Sequence, residues 1–153
     1  MGDNARIEGL RVLSPTDCLS RLMTGRIGRV GFIVEGRPQV LPVNYAMVQD
    51  SVVFRTSQSS ILTRIAGEPV TLEVDGFDVE RRAGWSVCVH GSGREITGEA
   101  DPIATARRSC LVSWAPGPRD RWFTIASAEL TGRRIPVEAE PDDFGGWVPG
   151  VVS

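Results

Sequence analysis

Apolar and polar positions alternate with two different periods along the chain, and the switches between them mark the predicted elements. Residues 1–13 read as an arm, with a short strand at residues 9–13. A helix follows. Ser14 is placed to N-cap it, Pro15 suits its first turn, and Asp17 completes an S-x-x-D pattern of the capping-box kind. Leu19, Leu22 and Met23 give it one apolar face, and Gly25 is expected to end it as a left-handed cap. Residues 26–34 then read as a strand, Glu35-Gly36 as a two-residue hairpin turn, and residues 37–45 as the returning strand. Pro38 and Pro42 interrupt the donors of that strand, which predicts an edge, a bulge or a stretch turned toward a ligand. Gln49-Asp50 is a second turn, and residues 51–56 (SVVFRT) form the next strand.

Ser57 is expected to cap a short helix over residues 59–66, with Ile61, Leu62 and Ile65 on one face and Gly67 as its stop. A strand at 69–74 is followed by a polar loop through residue 83 that carries Asp75, Asp78 and Glu80. Residues 84–99 read as a long strand bent at Gly91 and Gly93. A third helix runs from Asp101 to near Cys110, and a last strand covers 121–135 with an interruption near 127–129. The order favours antiparallel pairing and closure into a small barrel. Two regions are expected: a folded body over 1–136 and an acidic, Pro- and Gly-rich tail over 137–153.

Composition narrows the possible functions. A chain of 153 residues with 41% apolar and 24% charged residues is ordinary for one globular domain. It has no apolar run of 18 residues or more and no apolar block after a basic start. Neither a membrane partner nor a signal peptide is therefore expected, and the cytoplasm is the expected location. All 17 basic residues are Arg, so no lysine is available as a Schiff base or phosphate ligand. A net charge of -2 argues against a nucleic-acid partner. The last 17 residues hold four acids and no base, which leaves a mildly basic body suited to a small anionic ligand. Cys18, Cys88 and Cys110 are widely spaced, and with the single His90 they make neither a zinc site nor a disulfide framework. The cysteines read as buried apolar residues and His90 as structural.

Three segments concentrate candidate chemistry. In Val52–Leu62 a strand ends in Arg55-Thr56-Ser57 and a polar turn leads to a helix start. An Arg fork, several hydroxyls and free N–H groups converge there, as in a phosphate cradle. The same residues equally suit an ordinary capped helix with a surface arginine. The segment PQVLPVNY, residues 38–45, offers carbonyls and side chains to a ligand, or is a plain edge strand. Trp85 and Trp122 are suited to stacking on a planar ring, to a dimer interface or to the core.

Six pieces in this order resemble a known family. They are Gly25-Arg26-Ile27-Gly28-Arg29-Val30, then Gly36-Arg37-Pro38 leading to Leu41-Pro42-Val43-Asn44-Tyr45, and Val53-Phe54-Arg55-Thr56. Glu73-Val74-Asp75, Gly84-Trp85-Ser86-Val87 and Thr131-Gly132-Arg133-Arg134-Ile135 complete the set. Over about residues 13–136 the chain is similar to the pyridoxamine 5'-phosphate oxidase-like flavin-binding split barrels, nearest to the small actinobacterial, nitroimidazole-resistance-like branch. The resemblance implies a mainly β, six-stranded antiparallel split barrel that forms a homodimer with cofactor sites at the interface. It implies FMN as cofactor, with the deazaflavin coenzyme F-420, haem or an empty site as alternatives. Pro42, Val43, Asn44 and Tyr45 would line the isoalloxazine ring. Arg55, Thr56, Ser57 and Ser60 would hold the phosphate, and Trp122 and Trp85 would approach from the partner chain.

Ile61 departs from the pattern, because it stands where family members commonly carry a phosphate-pairing lysine. Losing one charge-assisted contact weakens such a ligand roughly ten- to hundredfold. The implied activity is a flavin-dependent oxidoreductase that moves hydride through the cofactor ring to a small-molecule substrate. A deazaflavin-dependent reductase, or a non-enzymatic flavin or haem binder, is the alternative. A purely structural dimer would need Tyr45 and Trp122 to fill the clefts. The vitamin B6 reaction is not expected, since residues to grip a second phosphate have no match, and no catalytic side chain is assigned.

Overall fold

The computed structural model describes residues 9–98 and 114–137. In chain order it contains β1 (Arg11–Val12), α1 (Pro15–Thr24), β2 (Ile27–Val34), β3 (Arg37–Val48) and β4 (Ser51–Thr56). A 3-10 turn (Ile61–Ile65), β5 (Pro69–Asp78), β6 (Ala83–Ile96) and β7 (Arg121–Ile135) follow. The sheet runs β7-β4-β3-β2-β5-β6, and β6 returns to β7, so six antiparallel strands close a barrel. β1 extends the sheet beside β7, where Arg11 faces Arg134. The expected fold class is therefore observed. The third predicted helix and all of the tail beyond residue 137 lie outside the described residues.

The hairpins form where the turn chemistry asks for them. Glu35 and Gly36 both take positive φ, 51° and 71°, as a two-residue turn matched to strand twist requires. That turn sets the register of β2 on β3, with Val34 opposite Arg37 and Ile27 opposite Asn44. Counting from the turn, Pro38 and Pro42 fall on the non-hydrogen-bonded pairs, opposite Ile33 and Arg29. Their missing donors cost the β2 ladder nothing. On its other side β3 pairs with β4 only over residues 45–48. The outward edge of residues 37–44 has no strand partner among the described residues.

The barrel interior is apolar. Val30, Leu72, Val74, Val87, Phe54 and Phe123 are fully buried. Phe54 and Phe123 lie opposite each other on β4 and β7, with ring centroids 6.1 Å apart. Helix α1 packs on β7 through buried Cys18 and Leu22. Gly132 permits this close approach, since a Cβ there would lie 2.6 Å from the Cys18 sulfur. Among the described residues Cys18 is buried as expected and Cys88 only half-buried; both are free, with thiols pushed up by burial, and Cys110 lies outside the described residues.

Several local expectations are corrected. Ser14 caps α1 by accepting the Asp17 N–H at 3.1 Å, but Gly25 is extended, with φ -75° and ψ 161°, and is not a left-handed cap. Glycine is needed there because a Cβ would collide with the Tyr45 hydroxyl. The helix expected at 59–66 is only the 3-10 turn, and Ser60 rather than Ser57 caps it, accepting the Leu62 N–H at 3.2 Å. The chain has too few residues to extend the turn before it must re-enter the sheet at Pro69. Asp75 and Asp78 belong to β5, not to a loop; the turn occupies only residues 79–82. Arg29 holds both Glu73 and Asp75, at 3.0 and 3.1 Å, across the strand. β7 is continuous, and its expected interruption is a bulge in which residues 127–128 face Gly91.

Candidate functional site

Outward-facing side chains of β3, β4, β7 and β6 form a second apolar cluster of Ala46, Val53, Ile96 and Trp122, separate from the barrel core. Arg55 lies at its border. It is the cross-strand partner of Trp122, and its guanidinium carbon sits 5.2 Å from the centre of the Trp122 ring. Trp122 in turn faces Ile96 on β6. Arg55 Nε is buried, yet it has no hydrogen-bond partner among the described residues. A buried guanidinium N–H without an acceptor is costly, and an anion supplies the acceptor it lacks.

Asn44 is the next position on β3 beyond the Tyr45–Phe54 pair and falls in line with Arg55 just where β3 and β4 stop pairing. Its side-chain oxygen accepts the Trp114 N–H at 3.0 Å. Trp114, exposed at this edge, was not among the predicted site residues; its place between Ser113 and a Pro-Gly loop carries no periodic signal. Arg121, one residue before Trp122, grips Glu95 in a two-pronged ion pair, with its second contact at 2.8 Å. The Arg121 hydrogen bond holds the Glu95 carboxyl below its usual range. This pair pins the start of β7 to β6 and so fixes where Trp122 sits.

The structure brings some predicted residues together and separates others. Pro42, Asn44, Arg55 and Trp122 share the outer face, with Ser57 following at the end of β4. The Ser57 hydroxyl lies 3.4 Å from that of Ser59. Ser60 is occupied as a cap, and Ile61 is 38% exposed beside it. Thr56 and Val43 are buried and turn inward. Tyr45 also points into the barrel, only 2% exposed. Its hydroxyl donates to the Leu22 carbonyl at 2.7 Å, and burial pushes its pKa up to about 12. It ties β3 to α1.

Trp85 lies far from this face. It sits opposite Gly76 and Arg134, eleven positions along β6 from Ile96, which is roughly 35 Å of strand. There the Arg21 guanidinium lies 5.2 Å from its ring centre. His90 bridges two threonines, with Nδ1 2.9 Å from Thr71 Oγ1 and Nε2 3.0 Å from Thr131 Oγ1, as its structural reading implies. No group of three or more His, Cys, Asp or Glu among the described residues forms a metal site.

The described residues form a six-stranded antiparallel barrel that carries Arg55 and Trp122 together on its outer face. The chain belongs to the pyridoxamine 5'-phosphate oxidase family, whose sequence pattern it matches over residues 14–134. It is 34% identical over 137 residues to the uncharacterized protein Rv0080 of Mycobacterium tuberculosis, covering 85% of this chain and 82% of that one. Its structure is similar to that of the FAD binding protein from Mycobacterium smegmatis. The TM-score is 0.68 at 30% identity, over 81% of this chain and 97% of that one. A FAD-binding protein from Mesorhizobium loti shares the fold, with a TM-score of 0.67 at 21% identity, over 82% of this chain and 96% of that one. No helix among the described residues is long and apolar enough to cross a membrane.

Proposed function

We propose that the protein is a flavin-dependent oxidoreductase that binds FMN on the outer face where β3 and β4 part. The observation that carries this reading is the buried, unpartnered Nε of Arg55 beside Trp122. A phosphate oxygen satisfies that donor, with the Ser57 hydroxyl within reach of the same anion. Trp122 and the unpaired edge of β3 near Pro42 and Asn44 offer an apolar wall and backbone groups to a planar ring. When bound, the flavin supplies hydride transfer, while Arg55, Trp122 and the β3 edge bind and orient it. Ile61 adds apolar contact but no charge, so Arg55 alone neutralises the phosphate. FAD is the second reading, favoured by the similarity to the FAD binding protein from Mycobacterium smegmatis.

The reading includes a homodimer. On the outer face of the β2–β3 hairpin, Ile33 and Val40 are each 65% exposed beside Pro38 and Pro42. A second copy of the chain covers this patch by a two-fold contact and closes the cleft over the cofactor. The test is the visible absorption spectrum of the purified protein during separate titrations with FMN, FAD and coenzyme F-420. Flavin bands that shift and saturate with FMN support the proposal. Saturation with FAD alone selects the second reading, and no spectral change with any flavin overturns both. Sedimentation of Val40→Asp is expected to show a monomer where the wild-type chain is a dimer.

A further inference from the structure

On the inner side of the same strands the barrel is not filled. A cavity of about 480 Å³ lies beneath α1, walled by Leu22, Met47, Val52, Val89, Ile125 and Leu130. Such a volume falls within the range of small-molecule sites, roughly 300–1,000 Å³. The bulge produces it. Residues 127–128 of β7 stand opposite the single Gly91, and a Cβ at Gly91 would lie 2.7 Å from the Ile125 methyl. β7 is thereby bent, and two small residues, Ala126 and Ala128, border the cavity where larger ones would fill it. Met47 and Leu130 pack against the core yet are only partly buried, because the cavity opens beside them.

The mouth is polar. It carries Asp50 and Ser51 from the β3–β4 turn, Arg94 from β6 and the buried Thr124. Thr124 is already committed to the Val52 carbonyl at 2.7 Å. Asp50 is exposed at a turn tip, where water satisfies it. Arg94 differs: it stands on the cavity rim, it makes no ion pair or hydrogen bond among the described residues, and its planar fork matches a carboxylate. An apolar cavity whose mouth carries, among the described residues, one uncommitted cation complements a small molecule with an apolar body and an anionic head. Arg94 pairs with Thr124 and so shares the outer face of β6 and β7 with Ile96 and Trp122, whereas Val52, Val89 and Ile125 face inward; the polar mouth adjoins the Arg55–Trp122 face and the apolar cavity lies behind it.

We propose that this cavity binds a small amphipathic carboxylate, with its chain among Leu22, Met47, Val89 and Leu130 and its head on Arg94. The assignment is independent of the flavin reading. The test is calorimetric titration of the full chain with decanoate and, separately, with 1-decanol. Saturable binding of decanoate at one per chain is expected. Arg94→Glu is expected to weaken decanoate roughly tenfold while leaving 1-decanol unchanged. Leu19→Trp, placed on the α1 side of the cavity, is expected to abolish both while preserving the melting temperature. The proposal is overturned if decanoate shows no saturable binding, if Arg94→Glu binds it as tightly as wild type, or if Leu19→Trp still binds both ligands. Flavin titration of Leu19→Trp is expected to match wild type, which separates the apolar cavity from the cofactor face.

Discussion

Two arginines in this protein make the same contact with a tryptophan. The guanidinium carbons of Arg21 and Arg55 each lie 5.2 Å from the centre of an indole ring, Trp85 and Trp122 respectively. The pairs differ in what surrounds the remaining N–H groups. Arg21 is half-buried on the surface of α1, and none of its nitrogens is among the buried atoms left without a partner. Arg55 comes from a strand between β3 and β7, and its Nε is buried without an acceptor. Stacking on an aromatic ring contributes about 0.5–1 kcal/mol at an exposed site and does not replace a lost hydrogen bond. Ring contact alone therefore does not single out Arg55; its buried donor without a partner among the described residues does, and the proposed site rests on that difference.

The sharpest way to break this comparison is to remove each arginine in turn. Arg55→Ala is expected to lower flavin affinity ten- to hundredfold, equivalent to about 1.5–3 kcal/mol for one charge-assisted contact. Arg21→Ala is expected to leave flavin affinity unchanged. Equal loss in both variants, read by absorption titration, would sink the assignment of the phosphate to Arg55. Next in size is Ile61→Lys, which places a second cation beside Ser60 and is expected to tighten FMN roughly tenfold. Unchanged affinity there would show that the phosphate lies elsewhere.

Tyr45→Phe separates fold from site. It leaves the Leu22 carbonyl without its buried donor and is expected to cost about 1–3 kcal/mol in denaturant unfolding. The flavin spectrum should not move, since the hydroxyl faces α1. The smallest effect concerns pH. The folded pKa of Glu95 is lowered by Arg121, so their pair stabilises the protein above the ordinary carboxylate value of 4.5. That contribution is lost as pH falls through the depressed folded value. Melting curves of Glu95→Gln between pH 7 and pH 3 are expected to lose part of the acid-side slope seen in wild type.

Much of the fold was legible because its signals are local. Glu35-Gly36 announced a turn through a glycine free to take positive φ, Gln49-Asp50 through a polar pair between two apolar runs, and SVVFRT announced β4 through β-branched and aromatic content. The clustering of hydroxyls with an arginine where β4 ends was also legible, and it is on this cluster that the proposed anion site rests. Gly25 was misread because glycine serves two needs, a left-handed φ and a close approach, and only the position of Tyr45 distinguishes them. Tyr45 itself was expected on a cofactor ring, whereas the structure puts it inside against Leu22, with Val43 inward beside it. Alternation tells which residues of β3 share a face but not which face is interior.

The sequence alone therefore determined the succession of strands among the described residues and the β2–β3 register, because each depends on neighbours within a few positions. Only the tertiary structure decided that β6 returns to β7 to close the barrel, and that Trp122 rather than Trp85 stands beside Arg55. It also decided that Arg55 Nε is left without an acceptor among the described residues. Those facts arise where strands distant in sequence meet, and the cost of a buried unpaired donor exists only once they have met.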